Sequence, residues 1–93
     1  PETVAAMTRD QLTADQRSNV WPGFSLLGDR GWGYGLSVRD GGSYGWEGGF
    51  GTTWANLPAQ RLCAVVLTQR AADETGMPAI GEQIVQAALG RPI

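Results

Sequence analysis

From Trp32 to Arg39 large and small residues alternate, with Trp32, Tyr34, Leu36 and Val38 on one parity and Gly33, Gly35, Ser37 and Arg39 on the other. A helix would scatter such a set around its axis, whereas a strand puts it on one face. The pattern predicts a half-covered antiparallel strand over 31–39. Asp40-Gly41-Gly42 follows, and glycine accepts the positive φ angles of tight hairpin turns, so a second strand should return alongside the first. On that return Tyr44, Trp46, Gly48, Phe50, Thr52 and Trp54 share one side, interleaved with Gly45, Glu47, Gly49, Gly51, Thr53 and Ala55.

Leu57-Pro58-Ala59-Gln60 reads as the next turn. Leu62 to Leu67 is an unbroken apolar run, too short for a helix, which marks a third strand covered on both faces. Around this sheet the helical signals lie at the two ends. Pro1 and Glu2 with Val4, Met7 and Leu12 suit a short first helix, and Thr13 followed by Gln16 fits a capping box, in which each side chain bonds the other's backbone N–H. Trp21-Pro22-Gly23 ends that helical stretch. A loop runs on to Arg30 with a small apolar cluster of Phe24, Leu26 and Leu27. After a polar loop from Gln69 to Met77, Pro78 opens a helix whose apolar stripe is Ile80, Ile84, Val85, Ala88 and Leu89, stopped by Gly90 and Pro92. The expected class is α+β: a single partial domain over 1–93, with a helical segment at 1–20, a three-stranded antiparallel sheet within 31–70 and a C-terminal helix at 78–90. Its outer strands want neighbours.

Composition excludes several functions. The seven basic residues are all Arg and are spread among nine acidic ones, so no basic stripe exists to neutralise phosphates, and no nucleic-acid partner is expected. No run approaches the roughly 20 apolar residues of a membrane span. Pro1-Glu2-Thr3 is neither an initiator nor a signal sequence, so the chain is expected to begin inside a longer protein. With 93 residues and 42% hydrophobic content it should bury roughly 60 to 65% of its unfolded surface, a modest core. The chain has no His, no Lys and one Cys. A Ser-His-Asp triad, a Cys-His pair, a Ser-Lys dyad, a His or multi-Cys zinc site and an internal disulfide are therefore all excluded within it. No metal or other cofactor is expected.

The segment Tyr44 to Trp54 departs from what packing requires. Glycine on a strand lets a ligand or another backbone come close, and an edge N–H can donate to a developing oxyanion, a contribution of about 2.7 to 4 kcal/mol per donor. The same glycines equally suit aromatic packing or a bulge, and local pattern does not separate the two.

Three motifs carry a resemblance: Trp32-Gly33-Tyr34-Gly35-Leu36, then Gly45-Trp46-Glu47-Gly48-Gly49-Phe50-Gly51-Thr52, then Arg61 to Gln69. In order and spacing they resemble the last third of the serine β-lactamase and penicillin-binding-protein superfamily, closest to its class C-like and esterase branch. The resemblance implies the C-terminal part of the β-lactamase-like α/β domain, with Trp46, Glu47 and Gly48 on the family's Lys-Thr-Gly or Trp-Gly-Gly triplet. Gly49 falls on the next position, whose N–H is one half of the family's oxyanion hole. Trp46 brings no ammonium to hold a substrate carboxylate, which favours a small ester or otherwise uncharged substrate over a penicillin. Glu47 departs from both triplets and is expected to face away or to pair with an Arg.

The nucleophilic Ser, its Lys three residues on and the relay Tyr or Ser belong to the family's N-terminal part. Here Ser18, Ser25, Ser37 and Ser43 have no such Lys, so no nucleophile or base is assigned. Tyr34 and Tyr44 read as packing residues and Cys63 as a small core residue. Asp73-Glu74 has no partner carboxylate that sequence can position. The leading expectation is the C-terminal fragment of a serine hydrolase of β-lactamase, carboxylesterase or peptidase type. It should be inactive alone and partnered by the missing N-terminal part. The alternatives are a self-contained binding module built on the Trp-rich face, and a half-domain that completes its sheet as a homodimer through an exposed edge.

Overall fold

A computed structural model describes the chain at 1–18, 30–73 and 79–90. The expected loop cluster of Phe24, Leu26 and Leu27, the helix opening at Pro78, and Glu74 lie outside the described residues. The class is α+β, with helices α1 (Glu2–Met7), α2 (Ala14–Ser18) and α3 (Ile80–Leu89). Five strands, β1 (Gly31–Trp32), β2 (Ser37–Val38), β3 (Tyr44–Gly48), β4 (Thr52–Leu57) and β5 (Leu62–Leu67), form an antiparallel sheet in that order. The chain falls into two compact units, Pro1–Tyr44 and Gly45–Ile93.

The sheet thus has five strands instead of the expected three, because two of the three predicted strands are folded over by tight turns. The 31–39 strand is broken after Trp32: Gly31 pairs with Val38 and Trp32 with Ser37, and the Gly33 N–H donates to the Leu36 carbonyl at 2.9 Å. The 44–55 strand is broken at Gly49–Gly51, where the Gly51 N–H donates to the Gly48 carbonyl at 3.0 Å. Alternation survives on both sides of each turn, and so the periodic signal reads as continuous when the strand is not.

In Pro1–Tyr44 the first helix is shorter than expected, ending at Met7 so that Leu12 lies outside it. α1 follows Pro1, and the capping box forms in full: the Thr13 N–H donates to Gln16 Oε1 at 2.8 Å and the Gln16 N–H donates to Thr13 Oγ1 at 3.2 Å. The residues between the two helices lie along β1. The Gln11 N–H donates to the Trp32 carbonyl (2.8 Å) and the Tyr34 N–H to the Met7 carbonyl (3.1 Å), while Asp10 Oδ1 accepts from Trp32 N–H (3.0 Å) and Leu12 N–H (3.1 Å). The Asp40-Gly41-Gly42 turn forms as expected, with φ of 88° at both glycines and the Arg39 N–H donating to the Ser43 carbonyl at 2.9 Å. Leu36 and Val38 are buried, but Tyr34, expected to pack, is 58% exposed at the hairpin tip.

In Gly45–Ile93, β4 and β5 pair without interruption from Thr52↔Leu67 to Leu57↔Leu62 around a 3₁₀ turn at Pro58–Gln60, and Arg61 closes that turn in the left-handed region at φ 54°. α3 lies on one face of this hairpin, where Leu57, Val66 and Val85 are buried. β5 is therefore covered on one face instead of two: Val65 is 63% and Leu67 76% exposed, and Cys63, expected in the core, is exposed beside them. The helix stripe is also rotated from the expected one. Ile80 and Ile84 are largely exposed, and the buried line is Gly81 and Val85. A Cβ at position 81 would collide with the Thr53 side chain, so glycine there lets the helix sit close and turns Val85 inward. Gly90 ends α3 in the left-handed region at φ 72°, as its sequence predicts.

Candidate functional site

The candidate residues gather at one end of the β3–β4 hairpin. Trp46, Glu47 and Gly48 are consecutive on β3 and half-buried, and Gly49 opens the turn that follows. Neither Gly49 nor Phe50 has a positive φ, whereas Gly51 stands at φ 88°. With the Gly51 N–H bonded back to the Gly48 carbonyl, this fits the common three-residue hairpin loop, a type I turn followed by a left-handed residue. Because three residues separate Gly48 from Thr52, the two meet on one face: a Cβ at Gly48 would abut the Thr52 hydroxyl. Trp46, Gly48, Thr52 and Trp54 therefore share a side, as the sequence pattern has it, although two strands carry them. Alternation puts Glu47 on the opposite side from Trp46.

Gly45, one residue before Trp46, has no room for a side chain, since a Cβ would strike the Trp54 carbonyl oxygen. Here the glycine serves close approach of two backbones and not of a ligand. Gly49 is different: no heavy atom lies within 4 Å of where its Cβ would be, and the residue is exposed. The turn is held from behind by the chain after β5. The Gly51 carbonyl accepts both the Thr68 N–H (3.2 Å) and the Thr68 hydroxyl (2.7 Å), the Arg70 N–H donates to Thr68 Oγ1 (3.2 Å), and the Ala72 N–H donates to the Gly49 carbonyl (2.7 Å). Gly51 is boxed in, and a Cβ there would meet the Arg70 carbonyl and the Thr68 hydroxyl.

A family model described as Beta-lactamase matches residues 1–89. The chain belongs to the β-lactamase family. No curated protein and no solved structure matches it. Within this β-lactamase-family chain Trp46, Glu47, Gly48 and Gly49 thus run off the end of a strand into an open, braced turn.

The other candidates are not brought together. Ser37 is buried in the β1–β2 hairpin, Ser43 is half-buried at the next turn, and Ser25 lies outside the described residues. Among the described residues no group of three His, Cys, Asp or Glu side chains could hold a metal ion. Every buried side-chain polar atom described has a hydrogen-bond partner. Thr68, which braces the turn through its hydroxyl, has no advance signal in the sequence, because its partner is 17 residues away and reached only once β4 and β5 have paired.

Proposed function

We propose that this chain is the C-terminal part of a serine hydrolase of the β-lactamase family, of the class C-like and esterase branch, which forms an acyl-enzyme with a small ester or amide. The β3–β4 turn borders the substrate, and the Gly49 N–H is one of two donors to the oxyanion. The observation that carries this reading is the contrast at the turn: Gly49 is exposed, with no heavy atom within 4 Å of where its Cβ would be, while its own carbonyl is tied back by Ala72 at 2.7 Å. A donor fixed before the reaction costs no reorganisation when charge develops on the substrate oxygen. Trp46, standing where the family has Lys, offers an aromatic face without charge and suits an uncharged acyl group. Glu47 alternates to the other side of β3, where its carboxylate does not oppose that charge.

The nucleophile, its Lys and the proton relay come from the part of the protein that precedes Pro1. The 93 residues alone contain neither Lys nor His, the side chains that most often activate a serine. Incubated with a chromogenic short-chain ester and with nitrocefin, the chain should give no turnover above buffer, and turnover at enzyme-like rates would reject the reading. In the protein encoded with its upstream region, which should carry Ser-x-x-Lys, Gly49→Pro removes the N–H at a turn position that accepts proline, and Gly49→Ala keeps it. The Pro variant should lose roughly 100- to 1,000-fold in kcat. The Ala variant should stay within a few-fold of the parent, and equal loss in both, or in neither, would remove Gly49 from the oxyanion hole.

A further inference from the structure

Two carbonyls of the Gly49–Gly51 loop are tied to one short segment, residues 68–72, that follows β5. The Gly51 carbonyl takes two hydrogens from a single residue, the Thr68 N–H at 3.2 Å and the Thr68 hydroxyl at 2.7 Å. Carrying the β4–β5 pairing one step past Thr52↔Leu67 sets Gly51 beside Thr68 and accounts for the first of these bonds. It does not account for the second, which only a hydroxyl at position 68 supplies. The same oxygen accepts the Arg70 N–H at 3.2 Å, a local turn on the path to Ala72, whose N–H meets the Gly49 carbonyl at 2.7 Å. One half-buried hydroxyl therefore stands at the node of the brace, and all of these contacts are internal to Gly45–Ile93.

The brace also sets a direction. The Gly51 N–H donates to the Gly48 carbonyl at 3.0 Å, so the carbonyl of the Gly48–Gly49 peptide is turned into the loop. In a planar trans peptide the N–H points opposite to the C=O, and the Gly49 N–H on that plane is therefore turned out of the loop. Gly51, at φ 88° and with no room for a Cβ, holds the far end of that bond, and its own carbonyl is held by the Thr68 hydroxyl. Resting on the reading of Gly49 as an oxyanion donor, we infer that Thr68 is a positioning residue for the reaction. Its hydroxyl fixes the Gly51 end of the loop, and through it the direction of the Gly49 N–H, without touching the substrate. Charge on the substrate oxygen appears only in the transition state, so a well-aimed donor is felt there and little in the ground state. Loss of the hydroxyl should accordingly fall on kcat and spare KM.

Steady-state kinetics of the protein encoded with its upstream region, on a chromogenic short-chain ester, test it. Thr68→Val keeps the branched shape and removes the hydroxyl. It should lower kcat about 3- to 10-fold, the net worth of one hydrogen bond, with KM within about twofold of the parent. Thr68→Ser restores a hydroxyl and should recover most of that loss. In the Gly49→Pro background the N–H is already gone, so Thr68→Val should there cause no further fall in kcat. If Thr68→Val loses the parent circular dichroism spectrum, Thr68→Ala takes its place in both backgrounds. A folded variant with the parent's kcat, no recovery with Ser, a loss that falls on KM, or the same fold-loss with and without Gly49→Pro would each overturn the role of Thr68 while leaving Gly49 in place. A Gly49→Pro variant as fast as the parent would instead reject the oxyanion reading, and the role of Thr68 with it.

Discussion

In Pro1–Tyr44 the described helices have six and five residues and strands β1 and β2 have two each, whereas in Gly45–Ile93 a ten-residue helix lies on a hairpin of six-residue strands. Elements that short cannot present a continuous apolar face, and the first unit is accordingly joined by specific hydrogen bonds between its N-terminal segment and β1. Each such bond contributes about 0.5 to 1.5 kcal/mol net, and its strength depends on one donor and one acceptor. The second unit depends on burial, which is spread over several side chains and fails when one of them is made polar. The two units should therefore respond to different substitutions.

The largest effect belongs to Val85, 1% exposed beneath α3. Val85→Asp places an unpaired carboxylate between helix and hairpin and should cost about 3 to 5 kcal/mol. Urea unfolding followed by tryptophan fluorescence checks it. A loss under 1 kcal/mol would mean that α3 contributes little to the order of Gly45–Ile93. Gly51→Ala comes next. It forces a Cβ into the left-handed region and against the Arg70 carbonyl, so a cost of about 2 to 4 kcal/mol is expected. The same urea titration reads it.

Asp10→Ala tests the first unit on its own terms. It leaves the Trp32 and Leu12 amides without their carboxylate acceptor, and a cost of about 1 to 2 kcal/mol follows, reduced because the side chain is exposed and water can substitute. Asp10→Asn keeps an acceptor oxygen and should recover most of the loss. Hydrogen exchange at the Trp32 amide separates this local effect from global unfolding, because only that neighbourhood should lose protection.

The contrast between the units also separates what the sequence reveals from what it hides. Signals that involve neighbours in the chain are legible: the Thr13–Gln16 capping box, the Asp40-Gly41-Gly42 turn and the Gly90 stop of α3 all form as read. The number of strands is not, because a hairpin whose loop keeps parity continues the period of two across the bend, as Trp46, Gly48, Thr52 and Trp54 do. Burial is not legible either. Cys63, Val65 and Leu67 are as apolar as any core strand, yet α3 is a single layer and covers only the alternate residues. At the candidate site the run Trp46-Glu47-Gly48-Gly49 stands out in the sequence. The division of labour among the glycines there does not, since each depends on what packs behind it after folding.

Gly49 and Gly51 offer the finest test of that division, two residues apart in one loop and expected to respond with opposite sign. At Gly49 φ is not positive and the space beyond the backbone is open, so Gly49→Ala loses no native contact and strains no dihedral. It does restrict the unfolded chain, and the expected result is stabilisation by about 0.4 to 1 kcal/mol. The measurement is the urea midpoint of the variant against the parent, at unchanged slope. A destabilisation comparable to that of Gly51→Ala would show that the side-chain position at 49 is as enclosed as the one at 51.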